Sequence, residues 1–85
     1  MSVMNRKRFA SKYSDVIRTI YQAGGQRDDT SVCVDKLISS IRGYFKETYT
    51  DGRGEHVFTI YPGIPDEFVW EEAYEDYKEM IKPLN

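Results

Sequence analysis

The chain holds one histidine, His56, and one cysteine, Cys33, so any proton-transfer or nucleophilic chemistry would have to be built around these two side chains. His56 has Asp51 and Glu55 as its carboxylate neighbours in sequence. It sits next to a turn in a stretch of strand-like pattern, where a surface or half-buried histidine is the ordinary outcome, and it is given no role. One His and one Cys on separate elements fall short of any ligand spacing that holds zinc. The carboxylates of the last third lack the alternating oxygen ligands and central glycine of a calcium loop. Gly52-Arg53-Gly54 has neither the lysine of a Walker loop nor the glycine pattern of a dinucleotide site, and reads as a turn. Cys33 falls one helical turn before Leu37 on an apolar stripe with no neighbouring base, which suits a small buried hydrophobe better than a reactive thiol. The sequence therefore predicts no enzyme, no metal and no cofactor.

Charge is the more informative chemistry. Residues 1–27 carry six basic side chains (Arg6, Lys7, Arg8, Lys12, Arg18, Arg27) against Asp15, a net of +5. Residues 28–61 carry four basic and six acidic groups, a net of −2, and residues 62–85 two basic and seven acidic, a net of −5. Within Glu67–Glu79, the row Glu67, Glu71, Glu72, Glu75, Asp76 and Glu79 is relieved only by Lys78. Like charges at helical neighbour spacing each cost a few tenths of a kcal/mol. A row that tolerates this repulsion makes a field that repels nucleic acid and attracts basic proteins, and Asp51 and Glu55 would extend it. Arg6, Lys7, Arg8 and Lys12 form the opposite feature, able either to meet phosphates in a salt-dependent way or to pair with the acidic helix inside the fold.

These groups need elements to hold them. Phe9, Tyr13, Val16, Ile17 and Ile20 recur at three- and four-residue spacing, which predicts an amphipathic helix over 5–23 ended by Gly24-Gly25. Asp28, Asp29, Thr30 and Ser31 supply capping oxygens for a second helix with the stripe Val34, Leu37, Ile38, Ile41. Gly43 is the expected stop, with an end as late as Lys46 also compatible. Tyr44–Thr50 and Glu55–Tyr61 alternate aromatic or β-branched with polar residues around Asp51-Gly52, which predicts a β-hairpin. Pro65 is expected in the first turn of a last helix, with Asp66 and Glu67 at its positive end and Trp70, Ala73, Tyr74, Tyr77, Met80 and Ile81 facing inwards. The expected fold is α+β, with two helices, a hairpin and an acidic helix (ααββα), in one domain over 1–85.

A chain of 85 residues has room for one core. No apolar run approaches the ~18–20 residues of a membrane span, and no hydrophobic stretch of signal-peptide type follows the charged N-terminus. A lone cysteine fits a reducing compartment. These features predict a cytoplasmic protein without a membrane partner. A two-stranded hairpin is marginal alone, which makes a homodimer an expectation.

The missing catalytic set, the tyrosine-rich core and the row Glu67, Glu71, Glu72, Glu75, Asp76, Glu79 resemble small phage host-takeover proteins, some of which mimic DNA. The resemblance is one of style across the chain and carries no motif. It implies carboxylates standing where DNA phosphates would sit, and a homodimer engaging the DNA-binding surface of a nucleoid protein such as HU. The leading expectation is thus a non-enzymatic inhibitor or regulator that binds a basic nucleic-acid-binding host protein through Glu67, Glu71, Glu72, Glu75, Asp76, Glu79, Asp51 and Glu55, with Tyr61 or Tyr49 as apolar anchors. The alternative is a small DNA- or RNA-binding module using Arg6, Lys7, Arg8 and Lys12.

Overall fold

Asn5 opens the first helix by accepting a hydrogen bond from the Arg8 N–H at 2.9 Å, an N-cap that satisfies one of the amides a helix start leaves without a partner. In the computed structural model, which describes residues 4–45 and 61–81, α1 (Arg6–Lys12), α2 (Ser14–Ala23), α3 (Thr30–Tyr44) and α4 (Trp70–Ile81) follow one another. Among the described residues all regular structure is helical, so the expected α+β class is corrected to all-α.

The helix expected over 5–23 is two helices. Tyr13 leaves helical dihedrals (φ −106°, ψ 27°), yet its N–H still bonds Phe9 O at 3.0 Å and Ile17 N–H still bonds Tyr13 O at 2.9 Å. The break is a shallow offset at a residue that is neither Gly nor Pro, and nothing in the local sequence announces it. α2 ends where Gly24-Gly25 predicts. Gly25 (φ 76°) sends its N–H to Gln22 O and Gln26 to Tyr21 O, the paired closing bonds of a Schellman ending.

Asp29 caps α3, accepting from the Val32 N–H at 2.9 Å. α3 then runs through Gly43 to Tyr44, and Phe45 closes it by bonding Ile41 O. A glycine inside a helix costs about 1 kcal/mol. Here it is offset by the rings beyond it: Tyr44 stacks on Trp70 at 4.4 Å with an interplanar angle of 1°, and Phe45 stacks on Tyr74 at 4.2 Å. Each such pair contributes about 0.5–1.5 kcal/mol. The expected hairpin therefore loses its first two residues, Tyr44 to the helix and Phe45 to its C-cap. Its last, Tyr61, donates its N–H to Ser40 Oγ at 3.2 Å on α3. The remainder of the hairpin, including Asp51 and Glu55, lies outside the described residues.

Pro65 does not open the last helix. It belongs to a turn in which Phe68 N–H bonds Pro65 O at 3.1 Å, and α4 starts only at Trp70. Asp66 and Glu67 thus precede the helix, and Glu71 and Glu72 occupy its first turn. Phe68 sets this turn. Its buried ring packs on Tyr13 (5.8 Å) and on Trp70 (4.9 Å), a core position absent from the expected apolar stripe.

The core is assembled from Phe9, Ile17, Ile20, Val34, Leu37, Ile41, Ala73 and Tyr77, with Cys33 completely covered. Burial of side chains this size stabilises by about 1.5–3 kcal/mol each. α2 packs mainly on α3, and α4 lies against both α1 and α3. That arrangement fixes which side of α4 can meet a partner.

Candidate functional site

α4 buries Ala73 and Tyr77, with Trp70, Tyr74 and Met80 half-buried beside them. At 100° per residue, Glu71, Glu75 and Glu79 fall on the opposite side. They form an exposed i, i+4, i+8 stripe rising about 6 Å per step. Glu75 has a 3.3 Å ion pair to Lys78, while Glu71 and Glu79 have no cationic partner among the described residues. Glu67 is exposed on the turn ahead of the helix.

The other two members of the expected row turn towards α1. Lys12 Nζ stands 2.7 Å from Asp76 Oδ2 and 3.1 Å from Glu72 Oε1, and the Tyr13 hydroxyl donates to the same Asp76 oxygen at 2.5 Å. Asp76 is only 16% exposed and ties α1 to α4. Its place is structural, whereas Glu72, 56% exposed, is shared between Lys12 and solvent. The aromatic anchors are also redistributed. Tyr61 is half-buried against α3 with Lys36 over its ring at 5.4 Å, and Tyr49 lies outside the described residues. Exposed apolar surface near the ends of α4 comes from Tyr44, which is 48% exposed and stacked on Trp70, and from Val69 and Ile81.

The basic cluster divides as well. Arg6 pairs with Asp35 at 2.8 Å and donates to Ser31 O and Oγ, and Lys12 is held by the acidic helix. Lys7 and Arg8 are exposed with no ion pair among the described residues. Two of the four cations are therefore used to hold α1 against α3 and α4. Lys78 and Arg42 lie over the rings of Tyr74 and Tyr77 at 4.7 and 6.0 Å.

The Tyr13 hydroxyl is pushed well above its ordinary value of 10.0, first by burial and then by its bond to Asp76, and the Lys12 ammonium is raised mainly by its bonds to Asp76 and Glu72. Both shifts favour the protonated group in the folded state. Their stabilisation is complete below pH 10 and is lost as pH rises beyond it, because the unfolded chain then releases these protons more readily. Denaturant unfolding of the protein is expected to give a stability that declines from pH 10 upwards. Tyr13→Phe should flatten that decline, and a decline unaltered by the substitution would count against the contact.

Sequence reasoning missed the Tyr13–Asp76 bond and the Tyr44–Trp70 stack. A tyrosine on an apolar stripe signals that its hydroxyl needs a partner, but no local pattern points to a carboxylate 63 positions away. Among the described residues no three His, Cys, Asp or Glu side chains converge as a metal would require, and no helix is long and apolar enough to cross a membrane. His56 lies outside the described residues. Comparison with known protein families, with curated proteins and with solved structures finds no match to this chain. What the outer face of α4 offers chemically is Coulombic attraction.

Proposed function

We propose that the protein is a non-enzymatic inhibitor or regulator that binds a basic, nucleic-acid-binding protein through the outer face of α4. The carrying observation is the exposed stripe Glu71, Glu75, Glu79, with Glu67 ahead of it, on a helix whose opposite side is fixed in the core. Arg6 is engaged by Asp35 and Lys12 by Asp76 and Glu72, and of the stripe only Glu75 meets a cation, Lys78. Glu71 and Glu79 keep their charge uncompensated among the described residues.

DNA carries one charge per about 1.7 Å of helix axis, whereas the stripe carries one per about 6 Å. A single copy reproduces DNA sparsely, and a homodimer presenting two stripes would be the better mimic. The resemblance to phage host-takeover proteins suggests a nucleoid protein of the HU type as the partner, met in a host cytoplasm. Tyr44 and Val69 would supply apolar contact at the edge of that interface.

The test is displacement of a labelled DNA duplex from an HU-type protein, followed by fluorescence anisotropy. The wild-type chain is expected to release the duplex at low salt and less so as salt is raised. Replacing Glu71, Glu75 and Glu79 together by Lys should weaken release at least about tenfold, since each desolvated charge pair is worth of order 1 kcal/mol or more. Undiminished release by the triple variant would sink the proposal. Direct binding of free duplex that disappears in a Lys7→Ala, Arg8→Ala variant would instead place the activity on α1.

A further inference from the structure

A groove of about 740 Å³ is lined by residues of α1, α2, the loop that leads into α3 and the start of α3. Its size lies within the range of small-molecule sites, about 300–1,000 Å³. Ala10, Ile17, Cys33 and Tyr21 are the apolar members of its lining, of which Tyr21 is 37% exposed. Its charged lining residues are Arg18 from α2 and Arg27, Asp28 and Asp29 from the loop.

The charges of the groove are unequally committed. Asp28 is bound by the Lys36 ammonium, and Asp29 is turned to the Val32 N–H as the cap of α3. Arg18 and Arg27 have neither an ion pair nor a hydrogen bond among the described residues. Both acids thus have internal partners, and Arg18 and Arg27 are the uncommitted charges among the residues that line this mixed polar and apolar cleft. Guanidinium is the side chain whose planar donors fit a phosphate two at a time. A phosphate monoester carries about −1.5 to −2 charges at neutral pH, which two arginines match and a single carboxylate does not.

We propose that this groove binds a phosphate monoester carried on a flat aromatic body, the class to which mononucleotides belong, with Arg18 and Arg27 on the phosphate and Tyr21 stacked against the body. No lining residue comes from α4, so the site is independent of the acidic stripe and of the function proposed for it. The ligand would couple α2 to the N-terminal end of α3, making the groove a place where a small molecule could steady the fold.

The probes are AMP, adenosine and inorganic phosphate, titrated separately into the ¹⁵N-labelled full chain and followed by amide and arginine side-chain shifts. AMP is expected to give saturable shifts centred on Arg18, Tyr21 and Arg27, with a dissociation constant at least about tenfold below those of adenosine and phosphate, a difference of about 1.4 kcal/mol. The double variant Arg18→Gln, Arg27→Gln, on exposed side chains, should weaken AMP at least tenfold while leaving shifts elsewhere in place. Absence of saturable AMP shifts up to about 10 mM, well beyond millimolar affinity, would overturn the proposal. So would AMP binding unaltered in the double variant, or phosphate binding as tightly as AMP. The three-ligand comparison on the unaltered chain decides the matter even if the variant folds poorly.

Discussion

Replacing Gly63 by Ala is expected to lower the stability of the protein by about 3 kcal/mol. Gly63 has φ +102°, a backbone conformation that L side chains rarely adopt, and a Cβ there would stand 2.6 Å from Thr19 O and 2.8 Å from Ile20 Cα. The unfavourable dihedral costs about 1–3 kcal/mol. Forcing the turn off α2 adds an overpacking cost of about 1–3 kcal/mol. For a domain of this size each kcal/mol moves the melting temperature by roughly 4–8 °C, so a drop of roughly 12–24 °C is expected by thermal denaturation. Gly25→Ala is the control. Gly25 also has positive φ, but the nearest atom to a new Cβ is the mobile Arg27 Nε at 3.9 Å, so only the left-handed penalty of about 1–2 kcal/mol applies. If Gly63→Ala costs no more than Gly25→Ala, the turn at 62–65 does not dock on α2 as described.

The contrast between these glycines also shows where the sequence was legible. Gly24-Gly25 announces a helix end through conformational freedom, a property of the residue itself, and α2 stops there. The need for Gly at 63 comes from the backbone of Thr19 and Ile20, more than forty residues earlier, with the Thr19 hydroxyl donating to Gly63 O. Helix periodicity is equally local, and the stripes of α2, α3 and α4 follow from it, except that Ile81, expected to face inwards, is 58% exposed at the end of α4. Where local and tertiary demands conflicted, the sequence reading failed. Gly43, Tyr44 and Phe45 have the composition of a helix stop followed by a strand, but Trp70 and Tyr74 receive the two rings only if α3 continues. Pro65 has the composition of a helix start, but Phe68 must first reach the core.

The same division applies to the acidic row. Six carboxylates at helical spacing look equivalent in sequence, and α4's neighbours make them unequal. A helix wedged between α1 and α3 has flanks as well as an outer face. Asp76 and Glu72 fall on the α1 flank, where Lys12 and Tyr13 meet them. Glu71, Glu75 and Glu79 fall outside that reach. Asp76, largely covered, and the exposed stripe are therefore different classes of carboxylate, with Glu72 between them, and stability and binding measurements can separate the two extremes.

Asp76→Ala is expected to destabilise the fold by about 1–3 kcal/mol. It leaves the Tyr13 hydroxyl, on a residue only 9% exposed, without its acceptor, and an unsatisfied buried group costs about 1–3 kcal/mol. It also removes one of the two carboxylates on Lys12, a partly exposed contact of little worth by itself. Adding Tyr13→Phe should recover part of the loss, since removing both partners of a buried hydrogen bond costs less than stranding one. The triple reversal of Glu71, Glu75 and Glu79 should leave stability within about 1 kcal/mol, as surface substitutions do, while weakening partner release as set out above. Urea unfolding of the four proteins distinguishes the two classes of carboxylate. Should Asp76→Ala prove as mild as the triple reversal, Asp76 is not the tie between α1 and α4, and it returns to the set of carboxylates a partner could use.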